Sequence, residues 1–188
     1  MSSWRFPRAA CALLLLLAGP AWALTMPELQ RQLQAAAGRT VAFDEERESP
    51  WLASPVFSKG TMRSTPDALE KRIETPHRET WRLLADRIEW TGGEPAARKE
   101  ILFTQAPALA PIADLMRNIV AGDFASLDRD FRIELSGDAN AWRVKLSPRQ
   151  AKVSRALAGV ELQGAAGRVQ VIVVNETNGQ RTTTRLAY

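Results

Sequence analysis

The chain has 188 residues, of which 45% are hydrophobic and 24% charged, with 25 Lys and Arg against 21 Asp and Glu. This length favours one domain with a buried core, and the balanced composition excludes a disordered or fibrous protein. The sequence pI of about 9.7 describes a basic chain, a feature typical of nucleic-acid-binding proteins.

Residues 1–23 have the pattern of a secretory signal peptide. Arg5 and Arg8 precede an apolar run over residues 9–18, and the segment ends in Ala-Trp-Ala at residues 21–23. We expect cleavage after Ala23 and a periplasmic location. The run is too short to span a bilayer comfortably. Cys11, the only cysteine, precedes the Leu run instead of ending it, so we expect no lipid attachment and no disulfide in the mature protein.

Without its first 23 residues the chain of 188 has 165 residues, and the loss of two arginines lowers its net charge from +4 to +2. This small excess gives little support for a nucleic-acid partner, and we expect none. We find no internal repeat, linker or low-complexity stretch after residue 23. We therefore expect a single domain over residues 24–188.

The first predicted element is a helix from Thr25 to Gly38. Thr25 and Glu28 have the spacing of a capping box, and Gly38 is a natural stop. Apolar residues recur every three or four positions along it, at Met26, Leu29, Leu33 and Ala36. This stripe packs on a core or covers a ligand cavity, and the pattern alone leaves both interpretations open.

From Thr40 to Thr104 the apolar period changes to two, which is typical of strands. Turn residues at 50–55, 66–67, 86 and 91–93 separate the segments. The predicted strands are residues 41–47, 56–65, 68–74, 78–84, 87–90 and 99–104. Consecutive short strands with tight links indicate an antiparallel meander, because parallel pairs need long crossovers.

A second helix is predicted from Pro111 to Gly122, and Asp123 can cap a short turn after it. Strands then return at residues 131–135, 142–146, 160–163, 168–175 and 181–187, with an irregular or helical link over 148–157. Asn178-Gly179 is a strong hairpin signal. The chain is thus predicted to be an α+β protein with a curved antiparallel sheet of about ten strands.

Catalytic and metal-binding patterns are absent from this sequence. His77 is the only histidine and falls in a predicted loop. There is no nucleophile elbow, no His or Cys pair at ligand spacing and no phosphate-binding glycine loop. Acidic pairs such as Glu45-Glu46 and Asp128/Asp130 are interpreted as solvated. We therefore expect no enzyme, no cofactor and no metal.

Aromatic residues are the more informative feature. Four tryptophans remain after the signal peptide, and phenylalanines lie on several predicted strands: Trp51, Trp81, Trp90, Trp142, Phe43, Phe57, Phe103 and Phe131. Such residues fill a core, or they line the wide concave face of a curved sheet, where apolar ligands bind.

The order of these elements, together with several local motifs, resembles the LolA-type outer-membrane lipoprotein carrier family, more narrowly its LolA-related periplasmic branch. The motifs occur at residues 43–55, 59–60, 66–71, 122–124, 142–148 and 176–186. The resemblance covers essentially the whole mature chain. It implies an incomplete antiparallel β-barrel of about ten to eleven strands, with helices covering its mouth and an apolar cavity for acyl chains.

By that resemblance we expect a lipid-binding carrier, acting as a chaperone in protein transport and outer membrane biogenesis, that moves a lipoprotein or lipid toward the outer membrane. It implies an inner-membrane releasing transporter and an outer-membrane acceptor as partners; we expect a monomer. Strand parity and helix faces select candidate cavity-lining residues, namely Phe43, Leu69, Trp81, Leu83, Trp90, Ile101, Phe103, Ile133 and Trp142. The candidate lid residues are Leu29, Leu33, Ile112, Leu115, Met116 and Ile119.

One position departs from the family pattern. The carriers commonly have an arginine just before the proline of the Pro-Asp turn, and it hydrogen-bonds to the lid helices. Thr65 occupies that position here, and a threonine cannot supply a charged, multi-donor group. The cargo therefore stays open, as does a second interpretation: an envelope sensor or interaction module that uses the same scaffold to bind a protein partner.

Overall fold

A computed structural model describes residues 24–107 and 109–188. The predicted signal peptide and its cleavage site lie outside the described residues. The helices are α1 (Met26–Ala36), α2 (Ala110–Ala121), α3 (Ala151–Ser154) and a 3-10 turn (Ala125–Leu127). The strands are β1 (Thr40–Glu48), β2 (Val56–Ser64), β3 (Leu69–Thr75), β4 (Glu79–Leu83), β5 (Arg87–Gly92), β6 (Ala97–Leu102), β7 (Phe131–Asp138), β8 (Ala141–Pro148), β9 (Leu157–Ala165), β10 (Arg168–Glu176) and β11 (Arg181–Ala187).

All eleven strands belong to one antiparallel sheet, in the order β6-β5-β4-β3-β2-β1-β11-β10-β9-β8-β7. Each half of the sheet is a meander, and the pairing of β1 with β11 joins the halves. No described pairing links β6 to β7, so the sheet curves without closing. The segment from β6 to β7 carries α2 across the concave side. The predicted incomplete antiparallel barrel with covering helices is confirmed.

Some predicted boundaries differ from the structure. Strand β6 begins at Ala97 and ends at Leu102, two residues earlier than predicted at both ends. Phe103 therefore lies in the turn after β6, where its backbone N–H donates to the Asp86 carbonyl at 2.9 Å. Strand β9 begins at Leu157 and not at Val160, because the small residues between them hide the apolar alternation.

The first helix begins where the sequence predicts. Thr25 is the N-cap residue, but its hydroxyl makes no capping hydrogen bond, so the predicted capping box is wrong. The helix ends at Ala36, and Gly38, with φ of 80°, turns the chain into β1. None of the helices within the described ranges is long and apolar enough to cross a membrane.

The convex side of the sheet is covered by charged side chains near the free β6 edge. Glu89 on β5 contacts Arg82 at 2.9 Å, Arg87 at 3.0 Å and Arg98 at 3.4 Å. Strands β4, β5 and β6 contribute one arginine each. This layer of ion pairs leaves the concave side as the apolar side of the sheet.

Candidate functional site

The concave face of the sheet is the candidate site, and two clusters of apolar side chains divide it. The large cluster lies on β7 to β10 under α1 and contains fully buried Trp142, Leu146 and Leu162. The small cluster is formed by Phe43, Met62 and Leu69 on β1, β2 and β3, and partly buried side chains pack around it. Strand parity explains both, because alternate residues of each strand point to this face.

Helix α2 contacts both clusters at once. Leu115 and Ile119 belong to the large cluster, whereas Met116 and Val120 pack on the small one. This arrangement follows from the helical period, which places residues 115 and 119 on one stripe and residues 116 and 120 on the next. Helix α1 adds Leu29 and Leu33 to the large cluster. The two helices therefore cover one half of the concave face, including the Leu69 end of β3. The open half consists of the rest of β3 and of β4 to β6.

The residues predicted to line a cavity fall into these two halves. Phe43, Leu69, Trp81, Leu83, Trp90 and Ile101 lie on the concave face of β1 to β6. Ile133 and Trp142 pack in the large cluster on β7 and β8. Phe103 is buried in the turn after β6. It does not lie on a strand, so the alternation that predicted its side-chain direction does not apply to it. Of the predicted lid residues, Leu29, Leu33, Leu115, Met116 and Ile119 pack in the clusters, whereas Ile112 belongs to neither.

Between the helices and the sheet lies a cavity of about 30 Å³. It is bounded mostly by apolar side chains, including Leu33 of α1, Met62 of β2, Val120 of α2 and Ile172 of β10. Benzene occupies an apolar cavity of about 150 Å³, so this space is too small for an acyl chain. The covered half is close to filled by its own side chains.

A charged pair interrupts the apolar wall between the covered and open halves. The Lys71 ammonium contacts the Glu45 carboxylate at 2.6 Å, and the Thr184 hydroxyl donates to the same Oε2 atom at 2.8 Å. The ammonium also lies 4.7 Å from the centre of the Phe43 ring. Glu45 is only 7% exposed, so its interpretation as a solvated carboxylate is wrong.

The two charges respond differently to their surroundings. Burial acts to raise the pKa of Glu45, but the Lys71 ammonium and the hydrogen bonds from Lys71 and Thr184 outweigh it and leave the pKa below its ordinary value. Burial lowers the pKa of Lys71, and the attraction of Glu45 offsets this only in part.

The open half has aromatic side chains on its floor and polar groups at its rim. Trp81 and Trp90 are cross-strand neighbours with ring centres 6.3 Å apart, and both indole N–H groups donate to Glu79 Oε2, at 3.0 and 3.1 Å. A groove of about 600 Å³ runs past Glu79, Trp90 and His77. A second groove, of about 160 Å³, joins Glu45 to His77. This half can accept an amphiphilic molecule, since apolar rings and charged groups face the same space.

Thr65 makes no link to the helices. Its hydroxyl donates to the Ala68 carbonyl and accepts from the Ala68 N–H, both at 3.1 Å, which closes its own turn. Arg63 is exposed and pairs across the strands with Thr40 and Glu70, on the convex face. Among the described residues, no hydrogen bond or ion pair joins α1 or α2 to the sheet. Within the described ranges, these helices are held against the sheet by apolar contacts.

Several solved structures align with this chain at low sequence identity. The LolA superfamily protein NE2245 from Nitrosomonas europaea aligns with a TM-score of 0.47 and 9% identity, over 88% of this chain and 93% of its own. MucB aligns with a TM-score of 0.45 and 16% identity, over 86% of this chain and 56% of its own. A putative outer membrane lipoprotein-sorting protein domain from Vibrio parahaemolyticus aligns with a TM-score of 0.42 and 8% identity, over 86% and 89% of the two chains.

Sequence comparison identifies the family directly. Among curated proteins none matches this sequence. The profile of the outer membrane lipoprotein carrier protein LolA-like family, in contrast, matches residues 18–188. That match includes every strand and helix of the structure. The chain therefore belongs to the LolA-like family of outer membrane lipoprotein carrier proteins.

Proposed function

We propose that this protein is a periplasmic carrier that binds the acyl chains of a lipoprotein or lipid against its concave face and moves them toward the outer membrane. The cargo would come from an inner-membrane transporter and pass to an outer-membrane acceptor. Membership of the LolA-like family supports this proposal. So does the concave face, where apolar side chains of the sheet face two amphipathic helices.

The observation that carries the proposal is the purely apolar attachment of α1 and α2. Moving α2 away from the sheet breaks contacts of Met116 and Val120 with the small cluster and no polar bond among the described residues. An acyl chain can cover the same surface, and each buried methylene contributes about 0.8 kcal/mol. Cargo would thus replace one apolar contact by another, and this exchange needs no external energy source.

Loading would also require the helices to shift. The cavity of about 30 Å³ is too small for a chain, so the cargo must widen it or occupy the open half beside it. Glycines with positive φ follow α1 and α2, Gly38 at 80° and Gly122 at 71°. These positions can absorb a change in helix direction at little steric cost.

A substitution on α2 tests the role of this helix. We expect Met116→Gln to lower the affinity for a fluorescent fatty acid roughly ten-fold, because an amide buried against an acyl chain loses its hydrogen bonds to water. Met and Gln have similar length and helix propensity, so the helix itself should persist. The affinity is measured by titrating the processed protein, purified after expression of the full chain.

Asn118→Gln is the matched control, since Asn118 lies on the same helix beside Asp114 and Arg117 and belongs to neither cluster. Its affinity for the fatty acid should equal that of the wild type. If the wild-type protein neither binds the fatty acid nor retains lipid in native mass spectrometry, the carrier proposal fails. An interaction module that binds a protein partner would then be the better interpretation.

A further inference from the structure

Four of the six large apolar side chains that are exposed in the described residues lie in one short segment. We call residues 49–57, Ser-Pro-Trp-Leu-Ala-Ser-Pro-Val-Phe, the hairpin tip; it joins β1 to β2 and includes the first two residues of β2. Trp51 is 79% exposed and Phe57 61%, and Leu52 and Val56 accompany them. Nine successive residues carry no charge. An apolar patch of this kind marks an interaction surface.

The tip is held in a defined position. The Leu52 N–H donates to the Ser49 carbonyl at 3.1 Å. Pro50 packs so closely on the β10–β11 turn that a Cβ added to Gly179 would lie 2.8 Å from its Cγ. The base of the tip is therefore fixed to the sheet, while Trp51 extends into solvent.

The tip also lies at the rim of the open half of the concave face. Val56 lines the same groove as Glu45, Ile73 and His77. A surface that bound the tip would therefore face the mouth of the candidate cargo site.

The shape and surroundings of the tip favour a lipid bilayer. It is a protrusion and not a groove, so a deformable surface accommodates it more readily than a rigid one. Tryptophan prefers the interface between headgroups and acyl chains. Exposed basic residues surround the tip, with Arg47 and Lys59 on its two strands, Arg78 in the neighbouring loop and Arg181 on β11. Lys59 pairs with the exposed Asp44 at 2.8 Å. With Asp44 counted, the four basic residues still outnumber the exposed acidic neighbours Asp44, Glu48 and Glu74, which favours an anionic membrane surface.

We propose that the hairpin tip inserts Trp51, together with the exposed Leu52 and Val56, into the interfacial region of an anionic bilayer and so places the open half of the concave face against the membrane. This proposal does not depend on what the concave face binds. It adds a membrane contact to the fold described by residues 24–107 and 109–188.

Vesicles of phosphatidylcholine mixed with phosphatidylglycerol test this proposal. The wild-type protein should float with the vesicles, and its tryptophan emission should shift to shorter wavelength as Trp51 leaves water. Trp51→Ala should weaken vesicle binding roughly ten-fold or more and abolish the shift. Vesicles of phosphatidylcholine alone should bind several-fold more weakly. Tyr188→Ala, which removes an aromatic ring that is 50% exposed at the opposite end of the sheet, should bind vesicles like the wild type.

Binding of Trp51→Ala to vesicles at wild-type affinity would overturn the proposal, as would absence of wild-type binding. A dimer that dissociates in Trp51→Ala, without vesicle binding, would assign the tip to a second copy of the chain. The fatty-acid titration, repeated on Trp51→Ala, separates this proposal from the carrier function. Retained fatty-acid affinity with lost vesicle binding is the expected pair of results.

Discussion

Glu45→Gln is expected to lower the free energy of unfolding by about 3 kcal/mol at pH 7, because it leaves the Lys71 ammonium without its charged partner. The Lys71 side chain is 18% exposed and the Glu45 side chain 7%, so water can compensate only in part. The Thr184 hydroxyl would also lose a charged acceptor. Urea unfolding of the two proteins, followed by tryptophan fluorescence, measures the difference.

The difference in free energy of unfolding between the wild type and Glu45→Gln should depend on pH in a defined direction. The pKa of Glu45 in the folded protein lies below its ordinary value of 4.5, so the unfolded chain takes up a proton first as the pH falls. The stability contributed by Glu45 is therefore fully present well above pH 4.5. It is lost as the pH falls through 4.5 and then through the lower folded-state pKa. The difference in free energy of unfolding between the wild type and Glu45→Gln should therefore decrease as the pH falls across that range.

Glu46→Gln is the control for this prediction. Glu46 is the next residue of the same strand but points to the convex side, where it lies 3.7 Å from Arg185 and is 29% exposed. A surface pair of this kind contributes less than about 1 kcal/mol. Equal losses of unfolding free energy in Glu45→Gln and Glu46→Gln would contradict the assignment of Glu45 and Lys71 as a buried pair. The assignment would also be contradicted if the double variant lost as much unfolding free energy as Glu45→Gln and Lys71→Met together, because two groups in direct contact are coupled.

The sequence contained a signal for this pair that pattern analysis can use. Glu45 follows Val41 and Phe43 at a spacing of two, and Lys71 follows Leu69 at the same spacing. Each charge thus has the parity of an apolar face, and strand geometry places it there. Acidic residues in a charged chain are usually solvated, and that general rule, applied without parity, gave the wrong environment for Glu45.

Other features of the structure could not be predicted from local sequence patterns. The hydrogen bond from Thr184 to Glu45 joins residues 139 positions apart, and no periodicity reveals which distant strands pair. The alternation of Trp142, Val144 and Leu146 predicted their strand correctly. It could not show that these side chains are fully buried in the large cluster while Trp81 and Trp90 remain half-buried in the open half. That distinction depends on where α1 and α2 lie, since each helix covers only part of the face.

Gly60→Ala should destabilise the fold by about 3 kcal/mol, because a Cβ at this position would lie 1.8 Å from the Arg72 carbonyl oxygen. The obstacle is backbone of the neighbouring strand β3, which cannot move aside as a flexible side chain can. The β2–β3 register shifts between Lys59 and Gly60, so the close approach belongs to the sheet itself. Without the clash, alanine would be favoured over glycine in a strand by about 0.5–1 kcal/mol. A loss of stability in Gly60→Ala would therefore indicate the clash, and a gain would contradict it.

Gly159→Ala provides the comparison, since it lies in β9 and its added Cβ would meet only the Leu146 carbonyl oxygen, at 3.3 Å. Its free energy of unfolding should stay within about 1 kcal/mol of the wild type.

Gly60 also pairs across the strands with Phe43 of the small cluster. Any shift of β2 that relieves the clash would displace the wall on which Met116 packs. Gly60→Ala should then lose fatty-acid affinity at temperatures where it remains folded, and Gly159→Ala should keep it. Equal stability of the two variants would show that β2 and β3 do not approach each other as closely as the structure has them.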